Sequence, residues 1–221
     1  MLLRVGHRGA AGHAPENTLS SVAKAIALGV DFVEVDVQST EDGHLVLMHD
    51  KRVNRTTDGN GYVSEMTLEE VRKLTIREQE RIPTIEELLS LVNGQVGLIL
   101  EIISQGIGVQ LVSATQELGF TKPIIYASFL HAELLEVRSV APNVTTMALL
   151  EGVPVTATSF AEDARAISVG VAVESLTAAF VHSLRSAGLS IFVYTVNDPL
   201  DIEWVKSLGV DGIISDFPDR I

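Results

Sequence analysis

The chain of 221 residues contains no cysteine and no long apolar run. The absence of cysteine excludes disulfides, thiolate metal sites and a cysteine nucleophile. No stretch approaches the roughly 18 to 20 consecutive apolar residues that a membrane-spanning helix requires, so stable membrane insertion is not expected. The sequence enters a strand pattern directly and leaves no room for a signal peptide, from which we expect a cytoplasmic location.

Positive charge is also scarce, because 16 Lys and Arg against 29 Asp and Glu give a formal net charge of −13. Binding to a nucleic-acid backbone needs clustered Lys and Arg, so this chain is not expected to bind nucleic acid. Most of the acidic excess is interpreted as a solvated surface. A phosphate-bearing ligand that enters such a protein needs a metal ion or a well-placed arginine to offset the negative field.

Short β-rich runs and amphipathic helical patterns alternate along the chain, with an apolar fraction of 46%. This alternation implies a parallel sheet, and about eight β/α units without a linker favour one closed (β/α)8 TIM-barrel domain over residues 1–221. A doubly wound open sheet stays possible, although no glycine-rich dinucleotide motif follows the first strand. The first helix is predicted over residues 16–28, between Pro15 and Gly29.

Residues 45–83 interrupt the alternation after the second strand and are predicted to form a small insertion. The run Leu45–Met48 is interpreted as an excursion rather than as a barrel strand. The turn-rich segment after it makes loop-organising roles the preferred interpretation of Asp50 and Arg55. A long connection at the mouth of an α/β domain often shapes the substrate site, and a purely structural insertion is equally compatible with the pattern.

Carboxylates and histidines stand at the ends of the first predicted strands. Glu34 and Asp36 share one strand face, because side chains alternate along a strand. Two carboxylates that point to one spot are costly to desolvate unless a cation joins them, and hard oxygen ligands suit Mg²⁺ or Ca²⁺. Glu101 would add a third carboxylate at the same end of the barrel. His7 and His49, which suit proton transfer, would also lie there.

The chain resembles the glycerophosphodiester phosphodiesterase family in an ordered set of motifs from residue 5 to about residue 218. The motifs are His7-Arg8-Gly9, Pro15-Glu16-Asn17-Thr18, Glu34-Val35-Asp36, Gly43, His49-Asp50, Arg55-Thr56-Thr57 with Gly59 and Gly61, Pro83-Thr84-Ile85-Glu86-Glu87, Glu101, Ser128-Phe129, Thr195-Val196-Asn197 and Gly209-Val210-Asp211-Gly212-Ile213-Ile214. The resemblance implies a TIM barrel that hydrolyses glycerophosphodiesters to sn-glycerol 3-phosphate and an alcohol.

The resemblance also implies that His7 and His49 are the general acid–base pair and that Arg8 binds the phosphate. The glycerol's own 2-hydroxyl would attack, giving a cyclic phosphate that water then opens. The residue types fit, because cleavage needs a base for the nucleophile and an acid for the leaving oxygen, and two histidines can exchange these parts near neutral pH. A structural ion pair with the nearby carboxylates is the alternative interpretation of Arg8.

The resemblance further implies that Glu34, Asp36 and Glu101 are the ligands of a divalent cation. Both Mg²⁺ and Ca²⁺ accept such ligands, so the residue types do not choose between them. Phe129 and Tyr194 are predicted to bind the substrate, and core packing is an equally compatible role for both. Tyr194 stands where the family usually has tryptophan, a change that keeps an aromatic ring.

One departure from the family pattern concerns charge near the phosphate. A lysine usually follows the third carboxylate by two residues, and this chain has Ile103 there. Residues 101 and 103 share a strand face, so the family's lysine would point toward the phosphate. Lys122 precedes the next strand, at the opposite end of the barrel, and does not replace it. We expect the loss to cost a few kcal/mol of transition-state stabilisation.

Three functions therefore remain open from the sequence. The first is a phosphodiesterase of small, water-soluble glycerophosphodiesters. The second is a lysophospholipase D-type or phosphoinositide-type phosphodiesterase, which favours an apolar rim facing a membrane. The third is a catalytically impaired barrel that binds phosphodiesters, motivated by Ile103. In each case the expected partner is a small molecule, and the oligomeric state is not determined.

Overall fold

The computed structural model describes residues 2–221, apart from the side chain of Glu78, and in that range eight parallel strands close into a barrel. The strands, with one antiparallel addition, are β1 (Leu3–Gly6), β2 (Phe32–Ser39), β3 (Leu45–Leu47), β4 (Gly97–Ile102), β5 (Ile124–Ser128), β6 (Thr145–Leu150), β7 (Ser168–Ala172), β8 (Ser190–Tyr194) and β9 (Gly212–Ser215). The parallel pairing of β1 with β2 completes the ring, with Val5 opposite Phe32. The TIM-barrel prediction is confirmed.

Helices follow most of the strands and cover the outside of the barrel. They are α1 (Leu19–Ala27), α2 (Leu68–Val71), α3 (Ile85–Val92), α4 (Gly108–Glu117), α5 (His131–Val140), α6 (Ser159–Asp163), α7 (Ala178–Ser186) and α8 (Pro199–Ser207). Across residues 2–221, none of these helices has the length and apolar character needed to cross a membrane.

The alternation of side chains along β2 separates two environments. Val33, Val35 and Val37 are fully buried in the layer between the strands and the helices. Glu34 and Asp36 face the barrel interior, whose apolar filling comes from the neighbouring strands. The acidic face predicted from the sequence is therefore the inner face of the barrel.

The first helix begins later than the sequence pattern predicts. α1 starts after Thr18, whose side chain accepts a hydrogen bond from the backbone N–H of Ser21, so the predicted start at residue 16 is wrong. Asn17 has a left-handed backbone, with φ of 56°, which a helix does not accommodate. Residues 15–17 are held in the β1–α1 loop because Glu16 and Asn17 bind residues of the site described below.

The insertion begins with an antiparallel return. β3 pairs with β2 so that Leu47 lies opposite Val37, which agrees with its interpretation as an excursion. The backbone N–H of Met48 donates to the carbonyl of Asp36 at 3.0 Å, so the chain comes back to the level of the acidic residues. The insertion encloses its own small apolar core, formed by Val46, Met48, Val53, Val63, Val71, Ile76 and Ile82.

Candidate active site

Three carboxylates converge at the C-terminal end of β2 and β4. Asp36 lies opposite Glu101 in the register of these strands, and Glu34 precedes Asp36 on the same face. One oxygen of each of the three lies within 4.8 Å of the others. Parallel strands place their carboxyl ends at one edge, so adjacent strands deliver these side chains to one point. The sequence prediction that these three acids meet is confirmed geometrically.

The three carboxylates are crowded together, and one oxygen of Glu34 has no hydrogen-bond partner among the described residues. Glu34 is 3% exposed, and burial, followed by the charges of Asp36 and Glu101, raises its pKa well above the usual range. Burial and then Asp36 likewise raise the pKa of Glu101. Among the described residues, no group hydrogen-bonds to Oε1 of Glu34. An unpartnered buried oxygen beside two further carboxylates fits an oxygen-preferring divalent cation such as Mg²⁺ or Ca²⁺.

His7 follows β1 and is held by residues from the last turn of the barrel. Its Nδ1 lies 2.7 Å from Oδ1 of Asp216, and its Nε2 lies 4.0 Å from Oε2 of Glu34. The side-chain amide of Asn197 donates to Oδ2 of Asp216 at 2.7 Å. Burial would raise the pKa of Asp216, but the hydrogen bond and charge of His7, together with Asn197 and Arg8, outweigh burial and lower that pKa. Asp216 therefore orients the imidazole with Nε2 toward the carboxylates.

The His7-Arg8-Gly9 turn is shaped around the acidic strand. The backbone N–H of Arg8 donates to Oε2 of Glu34 at 2.9 Å, and the N–H of Gly9 donates to the Glu34 carbonyl at 3.1 Å. Gly9 has φ of +89°, and a Cβ built on it would stand 2.5 Å from a backbone carbon of Ser21. Only glycine fits both requirements, which explains this part of the motif.

The guanidinium of Arg8 bridges two carboxylates. Nη1 donates to Oε1 of Glu16 at 2.6 Å, and Nε lies 3.4 Å from Oδ2 of Asp36, an ion pair without hydrogen-bond geometry. Burial disfavours the charge on Arg8, but the neighbouring acids outweigh it and raise its pKa. Asn17 both donates to Oδ2 of Asp36 at 2.7 Å and accepts from the Asp36 backbone N–H. The β1–α1 loop thus orients Asp36 and Arg8 together.

His49 stands at the edge of the site, in a turn that a buried glutamine holds. Nδ1 of His49 lies 2.7 Å from Oδ1 of Asp50. The amide nitrogen of Gln38 lies 2.7, 3.1 and 2.7 Å from the carbonyl oxygens of Met48, His49 and Asp50. Gln38 is 3% exposed and continues the inward face of β2 beyond Asp36. His49 is therefore delivered by the antiparallel return and not by the end of a barrel strand.

A small pocket opens beside these groups into the barrel. His7, Glu34, Glu101 and Tyr194 line its polar part, and apolar side chains of the barrel interior form the remainder. Tyr194 packs edge-to-face with Phe129, with ring centroids 6.1 Å apart. Burial and the charge of nearby acids raise the pKa of Tyr194, whose hydroxyl donates to the carbonyl of Leu150 at 3.1 Å. The two aromatic rings form one wall of the mouth.

Ile103 lies at the same mouth as the carboxylates. It follows β4 directly, and its backbone N–H donates to the carbonyl of Val37 at 3.1 Å. Lys122 precedes β5, which places it at the other end of the barrel. The loss of a cation at position 103 is therefore not compensated by this lysine.

Three residues of the site were missed in the sequence. Asp216 directly follows the last barrel strand, so its position predicts that it lies at the mouth of the barrel. Its contact with His7 was not predictable, because the two residues are 209 positions apart in the sequence. Asn197 lies in a motif shared with the family, without a role attached to it. Gln38 was detectable, because it follows Glu34 and Asp36 on the same face of β2.

Comparisons with known proteins agree with this geometry. The family model for the glycerophosphoryl diester phosphodiesterase family matches residues 7–220. The chain is 35% identical to a glycerophosphodiester phosphodiesterase of Caldanaerobacter subterraneus subsp. tengcongensis, over 99% of this chain and 96% of the relative. It is 32% identical to a glycerophosphodiester phosphodiesterase of Bacillus subtilis, over 99% of this chain and 84% of the relative.

Solved structures show the same likeness. A phosphodiesterase of Oleispira antarctica, determined in complex with the product sn-glycerol-3-phosphate, has a TM-score of 0.92 and 27% identity. That match covers 98% of this chain and 94% of the other. A glycerophosphodiester phosphodiesterase of Agrobacterium tumefaciens has a TM-score of 0.87 and 26% identity, covering 100% of this chain and 98% of the other.

Proposed function

The chain belongs to the glycerophosphoryl diester phosphodiesterase family, and from that premise we propose that it hydrolyses glycerophosphodiesters to sn-glycerol 3-phosphate and an alcohol with the help of a divalent cation. The observation that carries the proposal is the meeting of a three-carboxylate cluster with a histidine–aspartate pair beside a pocket. The relative with bound sn-glycerol-3-phosphate supports the same product class.

Glu34, Asp36 and Glu101 are the proposed ligands of the cation. Their oxygens are the hard donors that Mg²⁺ and Ca²⁺ prefer, and Oε1 of Glu34 is buried with no hydrogen-bond partner among the described residues. A bound divalent cation would offset the mutual repulsion of the three acids and supply positive charge to the non-bridging phosphate oxygens. Arg8, which is held between Glu16 and Asp36, would bind the phosphate from the neighbouring side.

The two histidines are proposed to transfer the protons. One takes the proton of the glycerol 2-hydroxyl as its oxygen attacks phosphorus, and the other protonates the leaving alcohol oxygen as the P–O bond breaks. In the second step the roles are exchanged, because water must lose a proton and the 2-oxygen must regain one. The contacts of His7 with Asp216 and of His49 with Asp50 each use Nδ1, which leaves Nε2 of both rings for the substrate.

Phe129 and Tyr194 are proposed to contact the carbon atoms of the substrate. Tyr194 lines the pocket itself, and Phe129 continues the aromatic wall outward with 43% of its surface exposed. Ile103 supplies no charge to this mouth, so we propose a lower turnover than a family member with lysine at that position would have.

A lysophospholipase D-type activity is the second candidate, and one observation favours it. Val153 and Val155, on the loop after β6, are fully or largely exposed at the barrel end that carries Phe129. An apolar rim of this kind suits an acyl chain or a lipid surface, whereas the charge of −13 disfavours an anionic membrane. Cleavage of lysophosphatidylcholine in preference to glycerophosphocholine would select this candidate.

The proposal is tested by measuring glycerol 3-phosphate released from glycerophosphocholine and glycerophosphoethanolamine, with Mg²⁺, with Ca²⁺ and with EDTA. We expect cation-dependent release that is abolished in His49→Ala. Folded protein that binds the cation but releases nothing from either substrate would reject the assignment. That result would favour the impaired, phosphodiester-binding barrel.

A further inference from the structure

Arg55, on the insertion, connects the two sides of the site. Its guanidinium donates to both oxygens of Glu16, with Nη1 and Nη2 each at 2.7 Å. It also donates to both oxygens of Asp50, from Nε at 2.7 Å and from Nη2 at 2.9 Å. Glu16 is the partner of Arg8, and Asp50 is the partner of His49. One side chain therefore holds the partners of both the arginine and the histidine.

The geometry of this bridge depends on the shape of the guanidinium group. Two forked contacts made by one planar cation fix both the distance and the relative orientation of the two carboxylates. The pKa values reflect the strength of the arrangement. Burial would raise the pKa of Glu16, but its hydrogen bonds with Arg55 and Arg8 lower it to about 2. The hydrogen bond with Arg55 also lowers the pKa of Asp50.

The insertion has structural support other than this bridge. The insertion has its own apolar core, and Gln38 holds the backbone carbonyls of the turn that carries His49. Arg55 is about half exposed, so solvent screens part of its attraction to the two carboxylates. The contacts of Arg55 act on the side chains of Glu16 and Asp50, which the backbone contacts leave free to rotate.

We propose that Arg55 is a positioning residue that fixes the side chain of His49 relative to Arg8, through Asp50 on one side and Glu16 on the other. The proposal rests on the function proposed above, in which His49 transfers a proton and Arg8 binds the phosphate. In this role Arg55 does more than organise its own loop. The insertion thereby contributes to the reaction geometry through a residue that need not contact the substrate.

The test compares Arg55→Ala and Arg55→Lys with Arg52→Ala. Arg52 lies in the same loop and packs its guanidinium over the ring of Tyr62, at 4.3 Å from the centroid, which makes it a matched control. We expect Arg55→Ala to lower kcat on glycerophosphocholine by about 100-fold, the loss typical of a misplaced catalytic group, and to raise KM. Arg55→Lys should recover only part of the lost kcat, because an ammonium group cannot form two hydrogen bonds with each of the two carboxylates. Arg52→Ala should keep the wild-type kcat and KM.

A second readout, the ¹⁵N spectrum of the His49 ring at alkaline pH, does not require turnover. We expect one neutral tautomer, with Nδ1 protonated, in the wild-type chain and a mixture in Arg55→Ala. Wild-type kcat in Arg55→Ala or Arg55→Lys, or an unchanged ring spectrum in folded Arg55→Ala, would overturn the inference. If the wild-type chain itself releases no glycerol 3-phosphate, the proposed function fails and the ring spectrum alone decides the role of Arg55.

Discussion

Without the proposed cation, the three clustered carboxylates repel one another, so we predict that each of them destabilises the fold when the cation is removed. Replacing Glu34 by glutamine keeps the size of the side chain and keeps an oxygen that accepts from the backbone N–H of Arg8. It removes the negative charge that lies beside Asp36 and Glu101. In EDTA, Glu34→Gln should therefore be more stable than the wild-type chain, although it should be inactive.

The magnitude follows from the distances. Two unit charges 4.8 Å apart, the upper limit within the cluster, repel by about 3.5 kcal/mol at an effective dielectric constant of about 20. Glu34 has two such neighbours, and its attraction to Arg8 and partial uptake of a proton offset much of this repulsion. We expect a net stabilisation of about 2 kcal/mol, which raises Tm by about 4 to 8 °C for a chain of this length.

The same repulsion predicts the direction in which the stability of the wild-type chain changes with pH. The pKa of Glu34 is higher in the folded chain than in the unfolded chain, where it is about 4.3. Its contribution to stability is therefore complete below that value and is lost as the pH rises through the folded pKa. In EDTA the wild-type Tm should fall over this range more steeply than the Tm of Glu34→Gln.

Thermal unfolding at several pH values, in EDTA and in Mg²⁺ or Ca²⁺, measures the effect of Glu34→Gln, its pH dependence and the stabilisation by the cation. A free cation at 100 times its Kd stabilises the wild-type chain by about 2.7 kcal/mol and should have little effect on Glu34→Gln. Glu136→Gln, an exposed replacement of the same kind on α5, is the matched control and should leave Tm unchanged. A lower Tm for Glu34→Gln in EDTA, or a wild-type Tm that neither cation raises, would refute the electrostatic reasoning.

Three further predictions follow from the contacts of the site. Asp216→Asn should lower kcat by about 100-fold or more in a steady-state assay, because an amide permits the wrong imidazole tautomer at His7. Asp219, which lies 2.6 Å from His13, provides the control, and Asp219→Asn should keep the wild-type kcat. Equal kcat values for the two variants would contradict this prediction. Gln38→Glu should lower the free energy of unfolding, measured in urea, by about 3 kcal/mol, because a carboxylate cannot donate to the three carbonyls that Gln38 faces. Wild-type stability in this variant would contradict the prediction. Ile103→Lys should raise kcat by about tenfold or more through a new contact with the phosphate, and unchanged or lower turnover would indicate a reorganised site.

Local patterns in the sequence were sufficient for the barrel and for its acidic face. The alternation along β2 predicted that Glu34 and Asp36 point together, because side-chain direction along a strand has a period of two residues. The N-terminal bound of the first helix was not predictable in the same way. Glu16 and Asn17 satisfy a helical pattern, but their bonds to Arg8 and Asp36 hold them outside the helix.

The sequence by itself determined the class of the fold, the inward acids and the family, since each depends on residue type and local spacing. The tertiary structure decided which groups hold the two histidines. His7 meets Asp216 only because ring closure brings β9 beside β1. His49 reaches the level of Asp36 only because β3 runs back along β2. Such contacts depend on strand order and closure, which local periodicity does not encode.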